Sequence, residues 1–311
     1  MIYTVTLNPA IDKTVVIENL SPGQVNRVAS VRVDAGGKGI NVSKCLRALG
    51  ADTVAAAILA GSAGKQLEDM LKALNIPVLQ VNVPGQSRTN LKIIDPVKKE
   101  NTDINEPGPK VMPEDLDALR LMLGSKVKKG DSIVLSGSLP AGVEADLYRV
   151  WTTYFRELGA AVFLDADGEP MAQGIQASPY MIKPNNHELA RLLGKEKLSL
   201  EEMCSEGKHL VESGIREVVI SLGGDGALFV SNEGVFHAEG LSVPVKSTVG
   251  AGDSMVAAMV YSKEKGLDRE TAIRLAVAMG AASVMQDGSQ SPEKELVEKL
   301  AQNVKLKKLS F

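Results

Sequence analysis

The sequence is poor in cysteine, with only Cys45 and Cys204 among its 311 residues. The two lie far apart and form no spacing typical of a metal site, which excludes a cysteine-rich scaffold and a cysteine-ligated metal. One disulfide is formally conceivable, but two free thiols fit the pattern better. Because free thiols are typical of a reducing compartment, we predict a cytoplasmic location.

Long apolar runs and an excess of one charge are also missing. The most apolar stretches, Val54–Gly61 and Leu275–Met285, are far shorter than the roughly 20 residues that span a bilayer. The N-terminal residues lack the basic segment of a signal peptide and have the pattern of a strand. The formal net charge is -3, so no broad surface for nucleic acid or an anionic membrane is expected.

Two common nucleotide-binding motifs are missing as well. The spacing Gly-x-x-x-x-Gly-Lys-[Ser/Thr] of a phosphate-binding loop does not occur; residues 61–65 resemble it, but Gln66 follows the lysine. No Gly-x-Gly-x-x-Gly fingerprint follows the first strand, which argues against a dinucleotide-dependent oxidoreductase. His187, His209 and His237 are scattered and indicate no catalytic group.

What the sequence does contain is an alternation of short β-type runs with amphipathic helical patterns. The β-type runs are Ile2–Leu7, Val54–Leu59, Ser132–Ser136, Ala161–Asp165, Met181–Lys183 and Glu217–Leu222. The helical patterns are Gly39–Leu49, Lys65–Leu74, Pro113–Leu123, Glu144–Leu158, Asn186–Leu193, Leu200–Ser213, Ser254–Lys265, Arg269–Met285 and Pro292–Val304. This alternation predicts an α/β fold with a central, mostly parallel sheet covered by helices on both faces. Ligands of such sheets usually bind at the carboxyl ends of the strands.

Two segments, 13–34 and 88–105, break the alternation. The first holds β-prone pieces without a convincing helix, and the second has the pattern of a hairpin. We predict that together they form a small β-sheet lid on a core made of residues 1–12, 35–87 and 106–311. Such a lid would expose one apolar face, which predicts a homodimer formed through the lid.

A glycine-rich segment, residues 247–254, precedes a strong helical pattern. Its glycines would let backbone N–H groups approach an anion at the positive end of the helix dipole. Asp253 follows directly, where its carboxylate could accept a proton from an attacking hydroxyl. An ordinary helix start capped by Asp253 or Ser254 is the alternative.

Two further glycine-rich segments are candidates for ligand binding. Residues 34–41 could hold a polyhydroxylated or phosphorylated ligand, or could form a plain strand-to-helix turn with Lys38 in solvent. Residues 221–227 follow a predicted strand and could pass beneath a nucleotide, or could form a simple hairpin turn.

Oxygen ligands suited to Mg²⁺ occur three residues apart. Asn185 and Glu188 stand at a predicted helix start, where their side chains can share one face and act on Mg²⁺ through water. The alternative is that Asn185 caps the helix and Glu188 is its capping-box partner. Asp12 could bind sugar hydroxyls, and Arg88 could clamp a phosphate with two hydrogen bonds.

Each of these signals is short, but their order along one chain is distinctive. The motifs are Asn-Pro-Ala-Ile-Asp, Gly-Gly-Lys-Gly-Ile-Asn, Arg-Thr-Asn, Ser-Gly-Ser-Leu-Pro, Lys-Pro-Asn-Asn-His-Glu, Ser-Leu-Gly-Gly-Asp-Gly-Ala and Val-Gly-Ala-Gly-Asp-Ser. Together they resemble the ribokinase-like, PfkB-type carbohydrate kinases, and the resemblance runs from Thr6 to about Ala282. It implies a kinase fold, with ATP and Mg²⁺ required for activity.

The resemblance also implies roles for individual residues. The catalytic group would comprise the base Asp253 and an anion hole formed by the amides of Gly250, Ala251 and Gly252. The nucleotide-binding group would be Lys183, Ser221, Gly223, Gly224, Asp225 and Gly226. The substrate-binding group would be Asp12, Gly37, Lys38, Asn41, Arg88, Asn90 and Ser136. Asn185 and Glu188 would hold Mg²⁺ through water. Many family members have Asp-Thr where this chain has Ser247-Thr248.

The expected reaction is ATP-dependent phosphoryl transfer to the primary hydroxyl of a ketohexose phosphate. Within the family, the sequence is most similar to the branch that converts fructose 1-phosphate to fructose 1,6-bisphosphate. Phosphorylation of tagatose 6-phosphate is the alternative reaction. A sugar-phosphate-binding protein without catalysis is the alternative of another class, because a fold alone does not guarantee chemistry.

Overall fold

The computed structural model describes residues 1–309, and these form fourteen strands and ten α-helices. The strands are β1 (Ile2–Thr6), β2 (Ala10–Val16), β3 (Ser30–Gly36), β4 (Thr53–Ala60), β5 (Val78–Val83), β6 (Arg88–Asp95), β7 (Glu100–Asn105), β8 (Ser132–Ser136), β9 (Ala161–Asp165), β10 (Met181–Ile182), β11 (Glu217–Ser221), β12 (Ala227–Ser231), β13 (Gly234–Ala238) and β14 (Leu306–Leu309). The helices are α1 (Lys38–Ala48), α2 (Gly61–Ala73), α3 (Pro113–Gly124), α4 (Leu147–Glu157), α5 (Gly168–Gly174), α6 (Asn186–Leu192), α7 (Leu200–Glu212), α8 (Ala251–Lys265), α9 (Arg269–Val284) and α10 (Lys294–Ala301).

Ten of the strands form one sheet, in the order β14-β13-β12-β11-β10-β9-β8-β1-β4-β5. The pairings from β5 across to β11 are parallel, and β12, β13 and β14 extend the sheet in antiparallel fashion. Buried side chains from α3, α4 and α7 pack on one face, and those from α1, α8 and α9 pack on the other. The predicted α/β fold with helices on both faces is confirmed.

The central strands are nearly all apolar because both of their faces are covered. Strands β1, β8 and β11 present buried residues at almost every position. Trp151, Tyr148 and Phe155 are fully buried on α4, and burying three large aromatic side chains fixes that helix firmly against the sheet. The parallel strands therefore end together at one stable edge, where the site residues follow.

The remaining four strands form a separate small sheet in the order β3-β2-β6-β7. The predicted hairpin corresponds to β6 and β7, which pair in antiparallel fashion around a turn at residues 96–99. β2 pairs antiparallel with β3 but parallel with β6. Val15, Ile17 and Ile93 form a small buried cluster of their own in this region.

Several elements were not predicted from the sequence, namely β5, β12, β13, β14 and α5. Lys307 and Lys308 are exposed on the edge strand β14. Charged lysines on an edge strand deter further strand pairing, so exposure and strand structure are compatible there. The free thiols expected for Cys45 and Cys204 are present, and both are buried.

No helix within residues 1–309 is long and apolar enough to cross a membrane.

Candidate active site

Asp253 lies in the first turn of α8 and is buried, with 6% of its surface exposed. Asn41, in the first turn of α1, donates from Nδ2 to Asp253 Oδ2 at 2.8 Å. The start of α8 carries no side-chain capping hydrogen bond, so the capping role considered for Asp253 is not what the structure shows. The Asp253 carboxylate therefore accepts a hydrogen bond from the neighbouring helix and does not cap its own helix.

Burial is the main cause that raises the pKa of Asp253, to about 6. The nearby carboxylate of Asp165 raises it further, whereas Lys38, the Asn41 hydrogen bond and Lys183 lower it. A carboxylate with this pKa is ionised at neutral pH and is more basic than an exposed aspartate. Those are the properties of a general base that works near neutrality.

Two glycines, Gly250 and Gly252, shape the turn into α8. Gly250 has a φ of +80°, a left-handed conformation that L side chains rarely adopt. A Cβ on Gly252 would lie 2.8 Å from Lys183 Nζ, so a side chain there would displace the end of that lysine. The first amides of a helix have no partner within the helix, and here no side chain occupies them. They are available to an anion.

A buried carboxylate connects the two lysines of the site. Asp165 ends β9 with 1% of its surface exposed, and its Oδ1 lies 3.1 Å from Lys38 Nζ and 3.8 Å from Lys183 Nζ. Burial acts to lower the pKa of Lys38, but Asp165, Asp253 and Glu188 together raise it above its usual value. These carboxylates favour the charged form of Lys38, and Lys183 Nζ lies beside the start of α8, close to Gly252.

Several buried oxygen atoms in this region have no hydrogen-bond partner among residues 1–309. They are Asp165 Oδ2, Ser136 Oγ, Asn41 Oδ1, Asn8 Oδ1 and Asn90 Oδ1. Unpaired buried polar atoms are costly, and native proteins keep few of them. Their concentration here indicates a site shaped for a polar ligand.

One cavity of about 520 Å³ opens beside these groups. Its lining includes Asn8, Gly37, Lys38, Arg88, Ser136 and Gly137. Gly37 has a φ of +108°, and a Cβ there would lie 2.7 Å from Thr6 Cγ2. The volume lies within the range of small-molecule sites, and two cations suit an anionic ligand.

Arg88, at the start of β6, donates from Nε to the Asn8 carbonyl at 3.1 Å. No carboxylate among residues 1–309 forms an ion pair with it. Burial lowers the pKa of this guanidinium, and Asp12 partly opposes that effect. The outer guanidinium nitrogens are therefore open to a phosphate.

Asp12 accepts a hydrogen bond from Asn90 Nδ2 at 2.9 Å. A Cβ on Gly36 would lie 2.1 Å from the Asp12 carboxylate, so glycine is needed where β3 passes this side chain. Burial raises the pKa of Asp12, while Asn90, Lys44 and Arg88 act to lower it. Together these contacts fix the Asp12 side chain near the cavity.

A second cavity, of about 610 Å³, lies on the other side of the α8 start. Its lining includes Ser221, Gly223, Gly224, Gly226, Ala251 and Gly252. A Cβ on Gly226 would lie 2.0 Å from the Ala238 carbonyl, which explains glycine at that turn. Gly252 and the lysines beside Asp165 connect this cavity with the first one.

Asp225 and Lys183 do not line the second cavity, although both belong to the predicted nucleotide-binding set. Asp225 is exposed, and its carbonyl lies 3.1 Å from His237 Nε2. Lys183 is buried, 3.8 Å from Asp165 Oδ1 and next to the turn into α8. Its position suits an anion between the two cavities rather than the nucleobase or ribose of a nucleotide.

Asn185 and Glu188 form the reciprocal capping box that was the alternative interpretation. Asn185 N donates to Glu188 Oε2 at 2.8 Å, and Glu188 N donates to Asn185 Oδ1 at 2.8 Å. No group of three or more His, Cys, Asp or Glu within the described residues could hold a metal ion directly. The second carboxylate oxygen of Glu188 is not used by the cap, so the pair fits a cation held through water and ligand phosphates.

Comparison with known proteins decides the family. The profile described as pfkB family carbohydrate kinase matches residues 5–296. The chain belongs to this family. The enzyme is 36% identical over 309 residues to 1-phosphofructokinase of Rhodobacter capsulatus, covering 99% of this chain and 98% of the relative. It is 35% identical to 1-phosphofructokinase of Bacillus subtilis, covering 99% and 100% of the two chains.

A solved structure is similar throughout. Phosphofructokinase-2 from Escherichia coli in complex with fructose-6-phosphate matches with a TM-score of 0.91 and 28% identity, covering 97% of this chain and 98% of that one. Family membership and the curated relatives make this kinase an ATP-dependent sugar-phosphate kinase, with ATP as a substrate.

The sequence did not single out Asp165, Asn8 or Lys44 as site residues. Asp165 carried a usable signal, because a carboxylate ends an otherwise apolar strand at the ligand-binding edge. Asn8 follows β1 in the same way, and its Nδ2 donates to the Pro107 carbonyl at 3.1 Å. Lys44 lies within a helical pattern, and nothing in the sequence distinguishes it from a surface lysine.

Proposed function

We propose that this kinase transfers the γ-phosphate of ATP to the primary hydroxyl of fructose 1-phosphate, forming fructose 1,6-bisphosphate. The observation that carries the proposal is the position of Asp253, which is buried beside the unpartnered amides of α8, near the cavity lined by Lys38 and Arg88. The identity to 1-phosphofructokinases over nearly the whole chain supports the choice of substrate.

The proposed base is Asp253, which takes the proton of the attacking hydroxyl as that oxygen bonds to the γ-phosphorus. The bond from that phosphorus to the β,γ-bridging oxygen breaks, and ADP leaves. Amides of Gly250, Ala251 and Gly252 then stabilise negative charge on the transferring group. General-base catalysis typically contributes 10²–10⁴-fold, and one preorganised donor about 10²–10³-fold.

The other end of the sugar is the part that Lys38 and Arg88 would hold. Two cations at the phosphate already present on the substrate would fix its position, so that the free terminal hydroxyl points at Asp253. Asp12, Gly37, Asn41, Asn90 and Ser136 would bind the sugar hydroxyls or complete the phosphate site. The small sheet carries Asp12, Arg88 and Asn90, and we propose that it closes over the substrate and excludes water.

A panel of substrates tests the proposed function. The purified protein is assayed with Mg-ATP and fructose 1-phosphate, fructose 6-phosphate, tagatose 6-phosphate or free fructose, and kcat/KM is compared. We expect the highest value with fructose 1-phosphate. A higher kcat/KM with tagatose 6-phosphate would make that sugar phosphate the substrate. Binding of the sugar phosphate without ADP formation would indicate a binding protein without catalysis.

The proposed cation is Mg²⁺, held through water by Asn185 and Glu188. Mg²⁺ would supply positive charge at the phosphates of ATP. Glu188→Gln keeps an oxygen for the capping bond to Asn185 N but removes the negative charge. We expect the Mg²⁺ concentration for half-maximal rate to rise about 10-fold or more.

A matched control for this variant exists in α7. Glu202 forms the same capping box, accepting from Ser199 N at 2.8 Å, but it lies outside both cavities. Glu202→Gln should leave the Mg²⁺ dependence unchanged. Equal Mg²⁺ curves for the wild type and Glu188→Gln would remove Glu188 from this role.

The small sheet also carries the proposed dimer interface. Val28, Val31 and Ile104 are exposed on or beside it, at 47%, 54% and 53%. We propose that two copies pair these sheets and cover the apolar side chains. Light scattering should give the mass of a dimer, and Val31→Asp should lower it toward the monomer; a monomeric wild type would contradict the proposal.

A cytoplasmic location remains a prediction.

A further inference from the structure

Lys44, on α1, is a buried lysine that the proposed reaction does not use. Only 8% of its surface is exposed. Its Nζ donates to the Ala35 carbonyl at 2.7 Å, to the Ser289 carbonyl at 2.8 Å and to Ser289 Oγ at 3.1 Å. These three acceptors satisfy all three protons of the ammonium group.

The three acceptors belong to two segments that are far apart in the sequence. Ala35 lies in β3, directly before Gly36, Gly37 and Lys38. Gly37 and Lys38 line the cavity of about 520 Å³, which we call the sugar cavity. Ser289 lies in the connection between α9 and α10, residues 285–293, which we call the rear loop. The Lys44 side chain therefore links β3 of the small sheet to the rear loop through hydrogen bonds.

The residue before the rear loop is in turn hydrogen-bonded to residues 246–250, the segment that leads into α8, which we call the anion-binding turn. Lys246 N and Ser247 N donate to the carbonyl of Val284, the last residue before the loop, at 2.8 and 3.2 Å. These two residues lead into Gly250 and the start of α8. A shift of the rear loop would therefore be transmitted to the backbone that carries the proposed anion hole.

A second path runs through the residue next to Lys44. Cys45 Sγ lies 3.2 Å from Ser254 Oγ, and Ser254 Oγ donates to the Gly250 carbonyl at 2.8 Å. β3 reaches the rear loop a second time, because a Cβ on Gly288 would lie 1.8 Å from Arg32 Nη2. The small sheet and the rear loop thus meet at the Lys44 ammonium group, and the neighbouring residue of α1, Cys45, contacts α8.

The charge of Lys44 is the feature that packing alone does not explain. No carboxylate within residues 1–309 forms an ion pair with it, and burial lowers its pKa. An unpaired buried charge is costly, and an apolar side chain could fill the same space. The ammonium instead binds neutral oxygens of two segments, β3 and the rear loop, and adds a hydrogen-bonded link between them.

We propose that Lys44 is a positioning residue that couples the small sheet to the anion-binding turn, so that sugar-phosphate binding in front of β3 sets the geometry at the start of α8. The proposal rests on the proposed function for its kinetic consequence. Lys44 touches neither substrate. Its effect would be to make phosphoryl transfer depend on an occupied sugar site, which suppresses transfer to water.

Steady-state kinetics of Lys44→Met test this coupling. The methionine fills similar space but cannot donate hydrogen bonds. We expect KM for fructose 1-phosphate to rise and kcat to fall, so that kcat/KM drops by about 10-fold or more. Small misplacements at a reaction centre can cost 10²-fold in rate. The ratio of ADP released to sugar bisphosphate formed should rise above one, and Lys44→Arg should restore part of the coupling.

Lys263 supplies a matched control. Its Nζ also donates to a carbonyl, that of Gly130, and to a serine hydroxyl, Ser132 Oγ at 3.1 Å, but at the opposite end of the strands. Lys263→Met should lower thermal stability without changing KM or the product ratio. If Lys44→Met behaves like Lys263→Met in these readouts, Lys44 has only a structural role and the proposal is overturned.

Hydrogen exchange separates this proposal from the proposed function, because it needs no turnover. Adding fructose 1-phosphate to the wild type should slow exchange in residues 246–254 and 285–293. The same addition at saturating concentration should leave these segments unprotected in folded Lys44→Met. Protection that is equal in both proteins, or absent from both at saturation, would contradict the coupling. A wild type that shows the protection without ADP formation would contradict only the proposed function.

Discussion

Asp253→Asn is expected to lower kcat by at least about 10²-fold. The amide has the same shape as the carboxylate and can still accept the hydrogen bond from Asn41, so the start of α8 should keep its structure. What the variant loses is the ability to take a proton from the attacking hydroxyl. The KM values for ATP and sugar phosphate should change little, because neither is proposed to bind mainly through Asp253.

The measurement is ADP release under saturating substrates, with thermal unfolding to confirm that the variant is folded. Asp268→Asn is the matched control, since Asp268 caps the neighbouring helix α9 by accepting from Thr271 N at 3.0 Å and lies outside both cavities. It should retain wild-type kcat. An Asp253→Asn enzyme within threefold of the wild type would show that another group accepts the proton.

Arg88→Met is expected to raise KM for fructose 1-phosphate by about 10- to 100-fold. A hydrogen bond to a charged group contributes about 1.5–3 kcal/mol, and that range corresponds to this loss of affinity. The Arg88 side chain lines the sugar cavity and forms no ion pair within the described residues, so its removal leaves no buried carboxylate unpaired.

Initial rates at varied sugar phosphate and saturating ATP give this KM, and the KM for ATP should stay near its wild-type value. Arg120→Met is the control, because Arg120 pairs with Asp117 on the distant helix α3. An unchanged KM for fructose 1-phosphate in Arg88→Met would place the substrate phosphate elsewhere.

The sequence predicted those site residues whose distinguishing neighbours are close to them in the sequence. Asp253 directly follows the glycines before α8, and Lys38 directly follows Gly36 and Gly37. Both could therefore be selected as candidates from the sequence. Asp165 was missed although it ends an apolar strand at the ligand-binding edge, and Lys44 could not be selected, because its partner Ser289 lies 245 residues away in the sequence. The same holds for β14, whose pairing with β13 depends on the fold of the rest of the chain.

The small sheet shows the same limit. Its hairpin was recognisable from a turn-forming segment, whereas the parallel pairing of β2 with β6 joins residues that are nearly 80 positions apart. That pairing brings Asp12 Oδ1 within 2.9 Å of Asn90 Nδ2, in the strand whose first residue, Arg88, lines the sugar cavity.

The pH dependence of kcat/KM in two opposed variants tests most directly whether Asp253 is the base. Burial raises the pKa of Asp253 to about 6, with a smaller contribution from Asp165, and the Asn41 hydrogen bond lowers it. In the wild type, kcat/KM should therefore fall as the pH drops below about 6, because the protonated carboxyl cannot accept a proton. Asp165→Asn should move this acid limb to lower pH, and Asn41→Ala should move it to higher pH. The phosphate group of the substrate also titrates near pH 6, but its titration is common to all three enzymes and cannot produce opposite shifts. An acid limb at the same pH in all three enzymes would contradict the account.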